Sequence, residues 1–281
     1  MAPLTIVVPE PKALPAHLPP ILAKAKKNTS PLGLERLLLS FFGLQTNAAP
    51  FYAFHEGLDA QKGFWICLSL ASMSPVRDSL YVEEKQINAE EKGLLVTALS
   101  SFFAEVGFQF YSGERYFLQS EKPYDFDAAP FDGIDGGYLL GAPFQGPDAP
   151  FFARLLTEAQ MLLAAHPVNL RREEKGQTPV NSIWLWGGGS WQNLQKNFEK
   201  IFTHHPLLCG LAKASGIEIS SAWRLDDLKG HRLIVEESVE RVFALLPSLM
   251  RHTPLILIFA GRDQSTFFEL FPRQRFFFWR R

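Results

Sequence analysis

Short apolar, often β-branched runs alternate along the chain with stretches in which apolar residues recur every three to four positions. This is the pattern of strands interleaved with helices. Leu4–Val8 is the first run, closed by Pro9 and Pro11, and reads as an opening strand. Ser30-Pro31, followed by Leu34, Leu37, Leu38 and Phe41 and ended by Gly43, predicts a helix capped by the serine. Phe64–Leu70 is apolar on both alternating faces apart from Ser69, as in a strand covered on both sides, and Ser79–Val82 can pair beside it. Asn88 with Glu91 three positions on forms a capping signal. The inward stripe Leu95, Leu99, Phe102, Phe103 and Val106 then runs to Gly107. Phe108–Tyr111 and Arg115–Gln119, separated by Ser112-Gly113-Glu114, predict a hairpin.

Residues 120–147 break the pattern, with Pro123, Pro130 and Pro143, several glycines, and Asp125, Asp127, Asp132 and Asp135. Irregular stretches of this length are uncommon inside compact domains. The expected organisation is therefore an N-terminal lobe over 1–119, a connecting loop over 120–147 and a C-terminal lobe over 148–281. In the last part, Asp148 caps a helix with Phe152, Leu155, Leu156, Ala159, Leu162 and Leu163 inward. Val180–Trp186 is strand-like and runs into Gly187-Gly188-Gly189, while Leu194–Phe202 and Pro206–Ala214 look helical. His231–Val235 and Leu255–Phe259 read as strands around a helix over Ser238–Met250. The predicted fold class is α/β, a mixed sheet with flanking helices arranged as two packed lobes.

Composition narrows the function classes. Among 281 residues, 28 basic and 29 acidic side chains give a net charge of -1, so no global field recruits nucleic acid or an anionic membrane. Two cysteines cannot form a disulfide framework: Cys67 reads as a core thiol, and His204-His205 with Cys209 is too poor in ligands for zinc. The N-terminal run is too short for a signal peptide and no run is long enough to span a membrane, so a cytoplasmic protein is expected. The 25 phenylalanines imply a ring-rich interior. The tail Arg273–Arg281 reads as a final strand, Phe276–Trp279, with arginines at its solvated ends; Asp226-Asp227 reads as a solvent-facing turn.

The segment richest in candidate chemistry runs from Gln160 to Gly189. A hydrophobic strand ending in Gly187, Gly188 and Gly189 and followed by a helical pattern would turn backbone N–H groups toward an anion. The bland alternative is a tight turn under Trp184 and Trp186 that holds no ligand. The run lacks both the Lys-Ser/Thr of a phosphate loop and the third glycine of a dinucleotide fingerprint. Arg171 and Arg172 could form a fork for a phosphate or carboxylate, or pair with Glu173 and Glu174 as solvated charges. His166, before a proline at a helix end, suits a C-terminal cation. Asn169 and Asn181 suit loop backbone, with ligand contact as the other reading.

The run Gln160-Met-Leu-Leu, His166-Pro-Val-Asn169, Arg172-Glu173 and Pro179-Val-Asn-Ser-Ile-Trp-Leu-Trp-Gly-Gly-Gly189 resembles a bacterial family. Its members are labelled regulatory proteins (RpfE-type) or phosphoglycerate mutase-like proteins. Asn181-x-x-Trp184-Leu-Trp-Gly187 followed by Gly210-Leu-Ala-x-x-x-Gly216 is also similar to the substrate lobe of archaeal-type cofactor-independent phosphoglycerate mutases. That resemblance implies a partial relation to the alkaline-phosphatase-like fold. In such enzymes a metal-binding Asp follows the first strand, a Ser takes the phosphoryl group, and Asp and His hold two divalent ions. Here the first strand is followed by Pro9-Glu10-Pro11, and Leu255–Phe259 by Ala260-Gly261-Arg262-Asp263 without a nearby His. Phosphoryl transfer depends on metal and positioned charge, so these departures argue against the reaction.

The expectation is therefore a mutase-like regulatory or binding protein for a phosphorylated small metabolite. The candidate ligand residues are His166, Asn169, Arg171, Arg172, Asn181, Trp184, Trp186, Gly187, Gly188 and Gly189. No catalytic residue, metal or cofactor is expected. A phosphorylated small molecule and a protein are the candidate partners; nucleic acid and membrane are not. The rival readings are a metal-dependent mutase or phosphatase using Asp125, Asp132 or Asp263, and a protein-interaction module.

Overall fold

The computed structural model describes residues 3–9, 18–85, 87–228, 230–250 and 253–271. Numbered in chain order, the strands are β1 Leu4–Pro9, β2 Lys26–Ser30, β3 Phe64–Val76, β4 Ser79–Glu83, β5 Gln109–Ser112, β6 Tyr116–Ser120 and β7 Gly137–Leu140. They continue with β8 Ser182–Ser190, β9 Lys200–Phe202, β10 Glu218–Ser220, β11 Arg232–Val235, β12 Leu255–Ala260 and β13 Ser265–Leu270. The helices are α1 Leu34–Ser40, α2 Ala49–His55, α3 Ala89–Glu105, α4 Phe131–Ile134, α5 Ala149–Ala164, α6 Pro167–Glu174, α7 Pro206–Ser215 and α8 Val239–Leu249. The mixed α/β class expected from the alternation is what the chain forms.

Two compact units emerge, Met1–Gln45 with Asn193–Arg281, and Thr46–Gln192. These are not the linear lobes expected from the Pro/Gly-rich break. In the first unit the sheet order is β10-β9-β11-β1-β12-β13-β2. The strands from β10 to β12 run parallel, whereas β13 and β2 are antiparallel additions at one side. Because β1 lies between β11 and β12, both ends of the chain are needed to complete this sheet. Leu4, Ile6, Val8, Phe202, Ile234, Leu257, Phe259 and Phe268 meet Val242 and Leu246 of α8 in one core.

The second unit is an antiparallel sheet in the order β5-β6-β3-β4-β7, with β8 also paired to β3. The 13-residue β3 organises it: Phe64–Leu68 pair with β6, Phe64–Ala71 with β8, and Ser72–Val76 with β4. Residues 120–147 belong inside this unit rather than between lobes. They carry Phe126, Phe131 and Phe144, which are buried; Phe126 stacks on Phe152 at 3.8 Å, and Trp184 Nε1 donates to Ala129 O at 2.8 Å. Burying those rings ties the segment down despite its turn-rich composition.

Several local expectations also change. Ser30 closes β2 opposite Ser265, and the residue that caps α1 is Gly33. Leu194–Phe202 is not helical: its end forms β9, paired on both sides by β10 and β11, and this tertiary pairing overrides the local pattern. Helices α2, α4 and α6 and strands β2, β7, β10 and β13 stand where no element was expected. The final strand expected over Phe276–Trp279 lies outside the described residues. No helix among the described residues is long and apolar enough to cross a membrane.

Gly33 is a position where only hydrogen fits. A Cβ there would sit 1.8 Å from the backbone oxygen of Arg262, while the next amide, Leu34 N, donates to Gly261 O at 3.0 Å. Gly33→Ala should therefore destabilise the protein by about 2 kcal/mol or more, read as a lowered midpoint in urea unfolding.

Candidate functional site

The segment from Gln160 to Gly189 folds as α5, α6 and β8, and most of its polar groups are spent on holding those elements together. Asn169, buried in α6, donates through Nδ2 to Leu163 O and Val180 O, both at 2.8 Å, and its Oδ1 accepts from Val180 N at 2.9 Å. It thus substitutes for a strand partner between α5 and the approach to β8. Asn181 does the same for β3, accepting from Met73 N at 2.8 Å and donating to Met73 O at 3.0 Å. Trp184 donates to Ala129 O, and Trp186 to Ser69 Oγ at 3.1 Å. Both indoles are buried in the sheet's packing.

The glycines do not form the expected chain reversal before a helix. They continue β8, with Gly189 opposite Trp65 and Ser190 opposite Phe64. Between Trp65 and Cys67 the register slips: two steps on β3 face three on β8, from Gly189 back to Trp186. This is a β-bulge, and Gly187 supplies its left-handed residue at φ +65°. A Cβ on Gly188 would lie 2.7 Å from the Phe126 ring, and one on Gly189 would lie 2.4 Å from Asn47. Close packing accounts for the triplet: no helix follows it directly in the chain, and the start of α2 packs against Gly187, with Ala49 N 3.3 Å from where a Cβ would stand.

Arg171 and Arg172 sit in the last turn of α6, not in a loop. Adjacent helical residues do not share a face, so the two do not make one fork. Arg171 is exposed. Arg172 turns inward, with its side chain 9% accessible; Nη1 meets Glu91 Oε2 at 2.8 Å and Nε donates to Thr178 O at 3.0 Å. The expected pairing of this arginine with Glu173 or Glu174 is replaced by an ion pair to α3.

His166 is also recast. It is the residue before the first turn of α6, and its Nδ1 accepts from Val168 N at 3.2 Å. That bond requires an unprotonated Nδ1, the opposite of a C-terminal cation. Burial, with the Arg171 charge adding to it, moves the His166 pKa below its ordinary value.

One cleft joins these elements. Lys85, just after β4, with Asn88 and Glu91 at the start of α3, faces Arg172, Lys175, Gly176, Gln177 and Thr178 across a cavity of about 500 Å³. The local fold explains both walls. Asn88 caps α3 by accepting from Glu91 N at 2.8 Å, yet Glu91 does not return its carboxylate to complete the capping box and pairs with Arg172 instead. On the other wall α6 ends in a left-handed Gly176 at φ +67°, and Gln177 N donates to Arg172 O at 2.8 Å. This turn sets Lys175, Gln177 and Thr178 along the rim. The lining holds three cations against one carboxylate, and the positive end of α3 adds to the same field. Lys85 pairs with Glu83, whereas Lys175 has no ion pair among the described residues.

Of the ten residues expected to contact ligand, only Arg172 lines this cleft. Asn88 and Glu91 show in the sequence only as a capping pair, and Lys85, Lys175, Gln177 and Thr178 carry no signal beyond that of ordinary helix ends. Elsewhere, the C-terminal ends of the parallel strands, where open α/β sheets commonly bind ligands, carry different chemistry. Glu236 after β11 accepts from Trp223 Nε1, Ser238 N and Arg241 Nη1 at 2.9–3.2 Å. Gly261 after β12 turns directly into β13, bonding Gln264 O through its amide. Glu10 and Pro11 lie outside the described residues. Among the described residues no three His, Cys, Asp or Glu side chains stand close enough to hold a metal ion, Asp125, Asp132 and Asp263 included. Burial pushes the Cys209 thiol up, which keeps it protonated.

No protein-family profile matches this chain. It is 25% identical over 259 residues to a probable 2,3-bisphosphoglycerate-independent phosphoglycerate mutase of Geobacter sulfurreducens, covering 87% of this chain and 64% of that protein. It is 29% identical over 147 residues to the 2,3-bisphosphoglycerate-independent phosphoglycerate mutase of Methanosarcina barkeri, covering 47% of this chain and 36% of that one. The chain thus spans less than two thirds of the length of these curated relatives. Among solved structures, the PH0037 protein of Pyrococcus horikoshii matches with a TM-score of 0.51 at 12% identity, over 96% of this chain and 87% of that one, and shares its fold. The cofactor-independent phosphoglycerate mutase of Thermoplasma acidophilum matches with a TM-score of 0.44 at 16% identity, over 96% and 90%. On the two sequence alignments, the distant similarity to cofactor-independent phosphoglycerate mutases expected from the Trp-Leu-Trp-Gly segment stands.

Asn169→Ala removes three buried hydrogen bonds and leaves the Val180 groups unanswered, so it should cost about 3 kcal/mol of unfolding free energy in a denaturant titration. His166 gives a pH signature. Its pKa is lowered on folding from the ordinary 6.5, so the unfolded chain takes up the proton first. Its contribution is complete above 6.5 and is lost as pH falls through the depressed value. His166→Asn keeps a capping side chain without a titrating group. Relative to wild type, it should flatten the loss of thermal stability between about pH 7 and pH 5.

Proposed function

We propose that this protein is a phosphoglycerate mutase-like binding protein that takes a phosphorylated small metabolite in the cleft between α3 and α6, and acts by binding rather than turnover. The observation that carries the reading is the convergence of Lys85, Arg172 and Lys175 on one cavity of about 500 Å³, with Lys175 unpaired among the described residues. Phosphate oxygens are held well by such charge-assisted donors, and Asn88, Gln177 and Thr178 add uncharged partners. The departures at Pro9-Glu10-Pro11 and Ala260-Gly261-Arg262-Asp263 support binding over phosphoryl transfer, as does the engagement of Glu236 by Trp223 and Arg241. A regulatory role of the RpfE type is consistent with a ligand bound and released unchanged.

The alternative is an active metal-dependent mutase with divergent ligands. It is favoured by the alignment with the Geobacter protein over 87% of this chain. One experiment addresses both. Titration calorimetry of the full chain with 3-phosphoglycerate should give saturable binding that Lys175→Gln weakens by about tenfold, with no turnover on adding manganese. Absence of heat and of any thermal shift with phosphoglycerates, phosphoenolpyruvate and nucleotides refutes the binding reading. Turnover that appears with manganese and vanishes on chelation establishes the enzyme.

A further inference from the structure

We propose that Glu91 is the specificity-determining residue of this cleft, reserving one wall for a hydrogen-bond donor. The cleft would then take hydroxylated phosphate esters in preference to esters with purely apolar tails. The inference rests on the cleft being the anion site.

Glu91 is the one carboxylate in a lining otherwise composed of cations and uncharged side chains. A carboxylate facing an anion would normally oppose binding, so its position calls for a chemical reason. Its formal charge is answered by Arg172, since Oε2 accepts from Nη1 at 2.8 Å, and its side chain is 19% accessible. The other oxygen, Oε1, has no partner among the described residues, because the bond back to the Asn88 amide that would complete the capping box is not made. An ionised carboxylate oxygen can only accept. An unprotonated phosphate oxygen placed against it would set lone pair against lone pair, whereas a hydroxyl or ammonium group would bond to it.

The geometry therefore divides the cavity by chemistry. Lys85 and Lys175 suit the phosphoryl end. Glu91 suits a donor on the remainder of the same ligand, and the Arg172 pairing holds the carboxylate in place. Sites built to bond a ligand hydroxyl discriminate strongly against the analogue lacking it, because the acceptor is then desolvated with nothing in return.

The test is calorimetry on the full chain with three probes: glycerol 3-phosphate, n-propyl phosphate and inorganic phosphate. The first two share a phosphate ester and a three-carbon chain and differ in their hydroxyls. Wild-type protein should bind glycerol 3-phosphate about tenfold or more tightly than n-propyl phosphate. In Glu91→Gln the amide can keep its oxygen on Arg172 and turn its NH₂ to the cleft. n-Propyl phosphate, which has no hydroxyl on its carbon chain, should then gain affinity and the preference should fall below about threefold. Equal affinity for glycerol 3-phosphate and n-propyl phosphate in wild type overturns the proposal without need of any variant, as does an unchanged preference in folded Glu91→Gln. Both results leave the anion cleft standing. Failure of every probe to bind either protein overturns the cleft reading and this proposal together.

Discussion

A guanidinium taken out of water must be answered, and at Arg172 the answer shapes its surroundings. Removing such a cation from solvent costs several kcal/mol unless a carboxylate and further acceptors replace the lost water. Glu91 supplies the carboxylate and Thr178 the carbonyl, which ties the start of α3 and the turn after α6 to the same side chain. Two consequences follow. Glu91 is drawn away from its own helix cap, so one carboxylate oxygen has no partner among the described residues. The turn after Gly176 is also held where Lys175 and Gln177 line the opposite rim. The charge pattern of the cleft is thus a by-product of satisfying one buried cation.

The Trp-Leu-Trp-Gly-Gly-Gly run illustrates how a distinctive motif can owe its character to packing. Gly187 is needed for the left-handed step of a bulge, and Gly188 and Gly189 because Phe126 and Asn47 approach too closely for any Cβ. Trp184 and Trp186, two residues apart, lie on one face of the strand just before the bulge, each with its indole N–H bonded. A bulge of this kind offers the same sequence signal as a phosphate-binding turn: small residues after a hydrophobic strand. Only the pairing of Gly189 with Trp65 separates the two.

Much of the secondary structure was legible along the chain. The stripe from Leu95 to Val106, the cap at Asn88, the hairpin around Gly113 and the buried runs at Leu4 and Leu255 all stand, because each is set by contacts a few residues apart or by burial on a fixed period. Less was legible at the site. Arg172 was visible as a charged candidate, but its partner is 81 residues away, and an Arg-Arg-Glu-Glu run looks the same whether its arginines are solvated or buried. His166 was misjudged for a related reason. One residue stands at the end of α5 and before the start of α6, and only the path of the chain decides which helix it caps.

By itself, then, the amino-acid order determined the alternation of strand and helix, the ring-rich interior, the weak net charge, and the distant kinship with cofactor-independent phosphoglycerate mutases carried by local motifs. Those properties follow from periodicity, composition and short-range chemistry. The tertiary structure alone decided that residues 120–147 are interior to a unit, that β1 joins strands from the far end of the chain, and that Lys85, Glu91, Arg172 and Lys175 share a cavity. The reason is physical: such outcomes depend on which distant groups must be buried and paired together, and a buried charge or ring can be satisfied by a partner at any separation along the chain.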